Sequence, residues 1–128
     1  MRKAGAKDYK AYSKKILEIC NNKPVSLEVF ADEYEEMKKQ ATEASGILKA
    51  IANETRLLIL CSIIEDDFTV NQLSEITGTA QSSVSQHLKV LSEQNIVSSK
   101  RIGKKIIYKI TDTRVKAILV LMHALFCK

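Results

Sequence analysis

Apolar positions recur along this chain with two different periods. From Leu27 to Ile51 the run "SLEVFADEYEEMKKQATEASGILKAIA" predicts a helix: Ser26 can cap it, acidic residues crowd its first turns, and Ile47, Leu48 and Ile51 continue an apolar stripe. Gly46 weakens it locally. Asn53 is placed to cap "ETRLLILCSII", in which Leu57, Leu60, Cys61 and Ile64 share a face, and "EDD" ends that helix. "TVNQLSEIT" predicts a short helix with Val70, Leu73 and Ile76 turned inward, closed by Gly78. Thr79 to Asn95 follows as "TAQSSVSQHLKVLSEQN", where Val84, Leu88 and Leu91 form one stripe at the helical period. A short helix, a tight turn at Gly78 and an amphipathic helix make a helix-turn-helix.

After Asn95 the period falls to two. "IVSSKRIGKKIIYKI" alternates like two strands around Ile102-Gly103-Lys104 and gathers Lys100, Arg101, Lys104 and Lys105 at its tip. A basic hairpin directly behind a helix-turn-helix is a wing. The chain closes with "TDTRVKAILVLMHALFC", a helix with Thr111 or Asp112 as cap that is apolar around much of its circumference from Ala117 to Phe126. Such a helix needs a second apolar surface, most simply a copy of itself. The expected fold is therefore mainly α with a small β-hairpin wing, a homodimeric winged helix-turn-helix over residues 26–128, preceded by a basic N-terminal arm over residues 1–25 that ends at Asn21, Asn22 and Pro24.

Composition narrows the function. A chain of 128 residues can bury a full core as one domain. No apolar run is long enough to span a membrane, and the basic start is not followed by an apolar signal segment, so a cytoplasmic location is the default expectation. Three cysteines without dense spacing argue against a disulfide framework, so any thiol pairing is expected to act as a switch and not as a staple. The net charge of +5 is unevenly spread. Residues 1–23 hold seven Lys/Arg against two Asp/Glu and residues 80–128 nine against two, whereas the segment between is acidic. Basic charge gathered on the arm and on the part beginning at the Thr79–Asn95 helix suits a polyanion.

That helix carries an unusual outer face. A solvated helix surface favours Glu and Lys, which pair along it, yet here Gln81, Ser82, Ser85, Gln86 and Lys89 fill the side opposite the apolar stripe. Short hydroxyl and amide groups suit close approach to a surface of donors and acceptors such as DNA base edges.

At these residues the sequence resembles the arsenic-repressor-type (ArsR/SmtB) family of winged-helix transcription repressors. The matching stretches are "LKAIANETRLLIL", "VNQLSEITG", "QSSVSQHLKVL", "IVSSKRIGKKIIYKI" and "VLMHALFC", over roughly residues 45–127. The family often has Ser where this chain has Ala80, which leaves Thr79 as a candidate cap for the recognition helix. The resemblance implies a homodimer held by the first and last helices, with two recognition helices entering successive major grooves of double-stranded DNA at an inverted-repeat operator, half-sites about 34 Å apart. The implied DNA-binding residues are Gln81, Ser82, Ser83, Ser85, Gln86, His87 and Lys89 on the helix and Arg101, Lys104 and Lys105 on the wing.

Metal sensing is common in this family, and its ligands are poorly represented here. "NQLSEITG" has no cysteine, and the last helix offers only Asp112 and His123, too few for tetrahedral zinc. No metal or other cofactor is expected, and His123 reads as an interface residue. Cys61 and Cys127 each have a plain reading, a small core residue and a chain-end thiol. Together they match the cysteine pair of the reactive-sulfur-sensing (BigR/SqrR/HlyU-like) branch, which bridges its two thiols by a disulfide or polysulfide and thereby lowers DNA affinity. Cys20 has no counterpart there and reads as incidental.

The leading expectation is a homodimeric DNA-binding repressor whose operator affinity is switched by oxidation or polysulfide bridging of Cys61 and Cys127, with a reactive sulfur species or oxidant as signal. The alternative is a repressor of the same family with inert thiols and a different signal, metal or none. A thiol enzyme is disfavoured, since no His or Asp stands at a plausible partner spacing and no Gly-rich phosphate loop appears. A pure protein-interaction module is disfavoured by the basic clustering.

Overall fold

The computed structural model describes residues 27–127. Their order is α1 (Leu27–Ile51), α2 (Glu54–Glu65), α3 (Val70–Thr77), α4 (Gln81–Glu93), β1 (Val97–Ile102), β2 (Lys105–Ile110) and α5 (Thr113–Phe126). This is a winged helix-turn-helix. The basic arm, Ser26 as a cap and Cys20 lie outside the described residues. The chain divides into two units between Thr42 and Glu43, a boundary that falls inside α1. In the first unit the described residues are helical, with exposed side chains from Glu33 to Thr42. In the second, α1 continues unbroken through Gly46 and buries Ile47, Ala50 and Ile51.

Local chemistry sets most boundaries. Asn53 accepts from the backbone N–H of Arg56 at 3.0 Å and so starts α2. Thr69 and Gln72 form a reciprocal capping box at α3: the Gln72 N–H donates to Thr69 Oγ1 at 3.2 Å and the Thr69 N–H to Gln72 Oε1 at 2.9 Å. Gly78 ends α3 at φ +66°, a left-handed conformation that side chains resist. Asp112, not Thr111, caps α5, accepting from the N–H groups of Arg114 and Val115. The wing is a two-stranded antiparallel hairpin with Val97 opposite Ile110 and Ile102 opposite Lys105. Its two-residue turn, Gly103-Lys104, begins with Gly at φ +61°, where hairpin geometry asks for a positive φ.

The core gathers Ile59, Leu60 and Ile63 of α2, Leu73 of α3, Val84, Leu88 and Leu91 of α4, Ile96 and Val97 before and on the wing, Ile110, and Val115 and Leu119 of α5. The apolar stripe of α4 is thus wholly buried, each of its side chains contributing about 1.5–3 kcal/mol of transfer free energy. Two expected inward positions are corrected. Cys61 is exposed, although Leu60 beside it is buried, because the core takes Ile59, Leu60 and Ile63 and turns Leu58 and Cys61 outward. Ile76 is 52% exposed, since the core takes Leu73, with Val70 partly buried against it, and leaves Ile76 on the outer side of the two-turn α3. On α5 the buried residues are Val115 and Leu119, while Leu121, Leu125 and Phe126 form an exposed apolar side. None of the described helices is long and apolar enough to cross a membrane.

Candidate nucleic-acid interface and thiol pair

The buried stripe of α4 determines what its other side shows. With Val84, Leu88 and Leu91 packed inward, Gln81, Ser82, Ser85, Gln86 and Lys89 are exposed, and Ser83 and His87 are half-buried at the edge. Ser82, Ser83, Gln86 and His87 line an open depression of about 390 Å³. The three-residue turn before this face is held from behind, the Ser74 hydroxyl donating to the Thr79 carbonyl at 2.6 Å. Thr79 does not cap α4, contrary to expectation. The N-cap position is Ala80, which has no side-chain acceptor, and the Thr79 hydroxyl points back to the Thr77 carbonyl at 3.4 Å. The first N–H groups of α4 therefore have no side-chain acceptor, the condition in which a helix start attracts anions.

His87 has a partner that spacing alone does not reveal. Nη1 of Arg56 stands 3.2 Å from its Nδ1. Burial, and after it the Arg56 charge, hold the imidazole below its ordinary value, so the ring is neutral at neutral pH. Gln81 is engaged too: its Nε2 donates to Asn71 Oδ1 at 2.6 Å. Neither Arg56 nor Asn71 stands out in the sequence, where one belongs to an apolar helix and the other to the first turn of a short helix. Their roles arise only from helices that meet in space.

On the wing, Arg101, Lys104 and Lys105 are exposed at the tip, with Arg101 Nε donating to the Gly103 carbonyl at 3.3 Å. Lys109, farther down β2, is paired with Asp67. The helix face and the wing tip thus present Ser, Gln, Lys and Arg side chains together, a combination that can contact both base edges and phosphates.

The thiols form a second candidate site. Cys61 and Cys127 are both free and exposed. Partial burial of its sulfur raises the Cys61 thiol above its ordinary range, the Cys127 thiol raises it further, and Glu65, one turn along α2, adds to the effect. α5, which Cys127 follows directly, packs against α2, the helix that holds Cys61. Among the described residues no three His, Cys, Asp or Glu side chains gather as they would to hold a metal ion.

Comparison with known proteins gives a consistent result. Residues 53–99 match the family model described as "Bacterial regulatory protein, arsR family". The chain is 37% identical over 94 residues to the transcriptional activator HlyU of Vibrio cholerae, covering 73% of this chain and 87% of that protein. It is 33% identical over 93 residues to the biofilm growth-associated repressor of Xylella fastidiosa, covering 73% and 82%. Among solved structures, reduced HlyU from Vibrio cholerae superposes with a TM-score of 0.70 at 37% identity, covering 73% of this chain and 99% of that one. The repressor BigR from Xylella fastidiosa gives 0.66 at 33% identity, covering 74% and 97%.

Proposed function

Because the chain belongs to the arsR family of bacterial regulatory proteins, which are DNA-binding transcription regulators and not enzymes, we propose that it is a homodimeric repressor released from its operator when Cys61 and Cys127 are bridged. The DNA half of this reading rests on the outward face of α4. Ser82, Ser85, Gln81 and Gln86 would read base edges in the major groove, while Lys89, Arg101, Lys104 and Lys105 would engage phosphates or the adjacent minor groove. The dimer half rests on the apolar side of α5, where Leu121, Leu125 and Phe126 are 45%, 63% and 81% exposed. A second copy is the occupant that would bring two α4 helices to one duplex.

The observation that carries the switch is that both thiols are exposed and that α5, which Cys127 follows directly, packs against α2, which holds Cys61. The signal in this reading is an organic persulfide. The Cys127 thiolate attacks its outer sulfur, takes it as Cys127–S–SH and releases the organic thiolate. Cys61 then attacks the Cys127 sulfur, forming the protein disulfide and expelling hydrosulfide. Two protein thiols are oxidised and the persulfide is reduced to a thiol and hydrogen sulfide. The bridge ties α2 to the end of α5, and through α5 it alters the spacing of two recognition helices on a rigid duplex. A coupling of about 1–3 kcal/mol corresponds to a 5–150-fold change in affinity.

The test is operator binding before and after treatment with a persulfide donor, with mass spectrometry of the cysteine peptides. Reduced Cys61→Ser and Cys127→Ser should bind like the parent and should not be released. If Cys61→Ser is released as readily as the parent, the bridge is not the switch, and a repressor with inert thiols becomes the better account.

A further inference from the structure

Asn71 and Gln81 belong to different helices of the helix-turn-helix and are joined by one hydrogen bond. Gln81 is the first residue of α4 and Asn71 the second of α3, and both are exposed. Gln81 Nε2 donates to Asn71 Oδ1 at 2.6 Å. An exposed amide pair of this kind adds only modest stability, because each partner can bond water instead, yet enough to favour the bonded rotamer of Gln81 several-fold. Its physical consequence is orientation. A free glutamine samples many rotamers, whereas Gln81 is held at its outer end by a side chain rooted on a second, packed helix.

The bond also determines which groups remain. Gln81 keeps its Oε1 acceptor and one Nε2–H donor, which stand side by side when Asn71 takes the Nε2–H on the side away from Oε1, and Asn71 keeps both N–H groups of its Nδ2. A carboxamide presenting one acceptor beside one donor complements the adenine edge in the major groove, which offers the N6 amino donor and the N7 acceptor. Gln81 is not drawn back to its own helix start: no side-chain hydrogen bond caps α4.

We infer that Asn71 is a positioning residue that holds Gln81 as the reader of one adenine in each half-site. The inference rests on the reading of α4 as the base-contacting helix. Asn71 acts before binding by reducing the freedom that Gln81 would otherwise lose on the DNA, so its contribution is confined to the base pair that Gln81 reads.

The experiment is selection from a pool of randomised DNA duplexes, followed by binding to the selected sequence and its single-base variants. It compares the parent with Gln81→Ala, Asn71→Ala, Asn71→Asp, Gln86→Ala and the Asn71→Ala/Gln81→Ala double variant, each checked for native thermal unfolding. The parent should prefer A·T at one position per half-site, by a factor of roughly 5 to 150 for a bidentate contact. Gln81→Ala should lose that preference alone. Asn71→Ala should weaken it at the same position and have no further effect once Gln81 is Ala. Asn71→Asp, which keeps the acceptor for Gln81, should retain the preference while weakening binding to every sequence through its charge.

An unchanged preference in Asn71→Ala, or an equal loss at all positions, overturns the inference. So does a Gln81→Ala variant with the parent's base preferences; if Gln86→Ala then relaxes another position, the wider reading of α4 still stands. A parent that selects no sequence removes both.

Discussion

The Arg56 guanidinium joins the first turn of α2 to the middle of α4 by standing 3.2 Å from His87 Nδ1. The same guanidinium donates through Nε to the Ala50 carbonyl and through Nη2 to the Lys49 carbonyl at 3.5 Å, at the end of α1 where a cation is favoured. Since Arg has no acceptor, His87 Nδ1 must accept, which leaves the ring proton on Nε2. What His87 can offer a ligand is therefore an Nε2 donor and not an Nδ1 contact.

Removing this junction should loosen α4 without touching its outer face. Arg56→Ala is expected to cost about 1.5–3 kcal/mol of stability, the range for lost hydrogen bonds to a charged group. Chemical denaturation should show it as a lower midpoint, and operator affinity should fall with it. A variant as stable as the parent would mean that the junction is energetically neutral.

His87 also makes stability depend on pH. Its folded-state value lies below the ordinary one of about 6.5, so the unfolded chain binds the proton more readily than the native protein. The contribution is fully present above about 6.5 and is lost as pH falls from there toward the lower folded value. Thermal unfolding from pH 7.5 to 5 should show a steeper decline for the parent than for His87→Gln. Equal slopes would remove His87 from the acid sensitivity.

Base reading and phosphate contact should separate by their salt dependence. Ser85→Ala or Gln86→Ala should relax discrimination at particular base pairs by about 1–3 kcal/mol. Lys104→Ala should instead weaken binding to all sequences and flatten the salt slope by roughly one unit. Uniform losses from both kinds of substitution would contradict base reading by α4.

Charge on the outer side of α5 tests the assembly. Leu121→Glu should dissociate the proposed dimer, because burying an unpaired carboxylate there costs at least about 3 kcal/mol. Sedimentation should then report a monomer with weak operator binding, and an intact dimer would assign that side of α5 to something else.

The raised Cys61 thiol predicts the pH profile of bridging. Little of it is thiolate at neutral pH, so in the proposed sequence its attack on Cys127 is the slower step and should accelerate as pH rises. Glu65→Gln removes one of the three causes and should speed bridge formation near pH 7. Bridging with a flat pH profile in the parent would place the slow step elsewhere.

Much of this molecule was legible in short-range sequence patterns, because those patterns have local causes. The stripe Val84, Leu88 and Leu91 matches one face of a helix, alternation on either side of Gly103 matches a pleated hairpin, and Asn53, Gly78 and Asp112 act on backbone groups within a few residues of themselves. From these the helix-turn-helix, the wing and the outward serines and glutamines of α4 could be read directly. The exposure of Cys61 and Ile76 could not. In α2 apolar residues surround most of the helix, so periodicity leaves the buried side open until β2, α3 and α4 pack against it, and they take Ile59, Leu60 and Ile63. The partners of His87 and Gln81 likewise lie 31 and 10 residues away. No repeat or spacing encodes such pairs; only the packing of separate helices brings Arg56 to an imidazole and Asn71 to an amide.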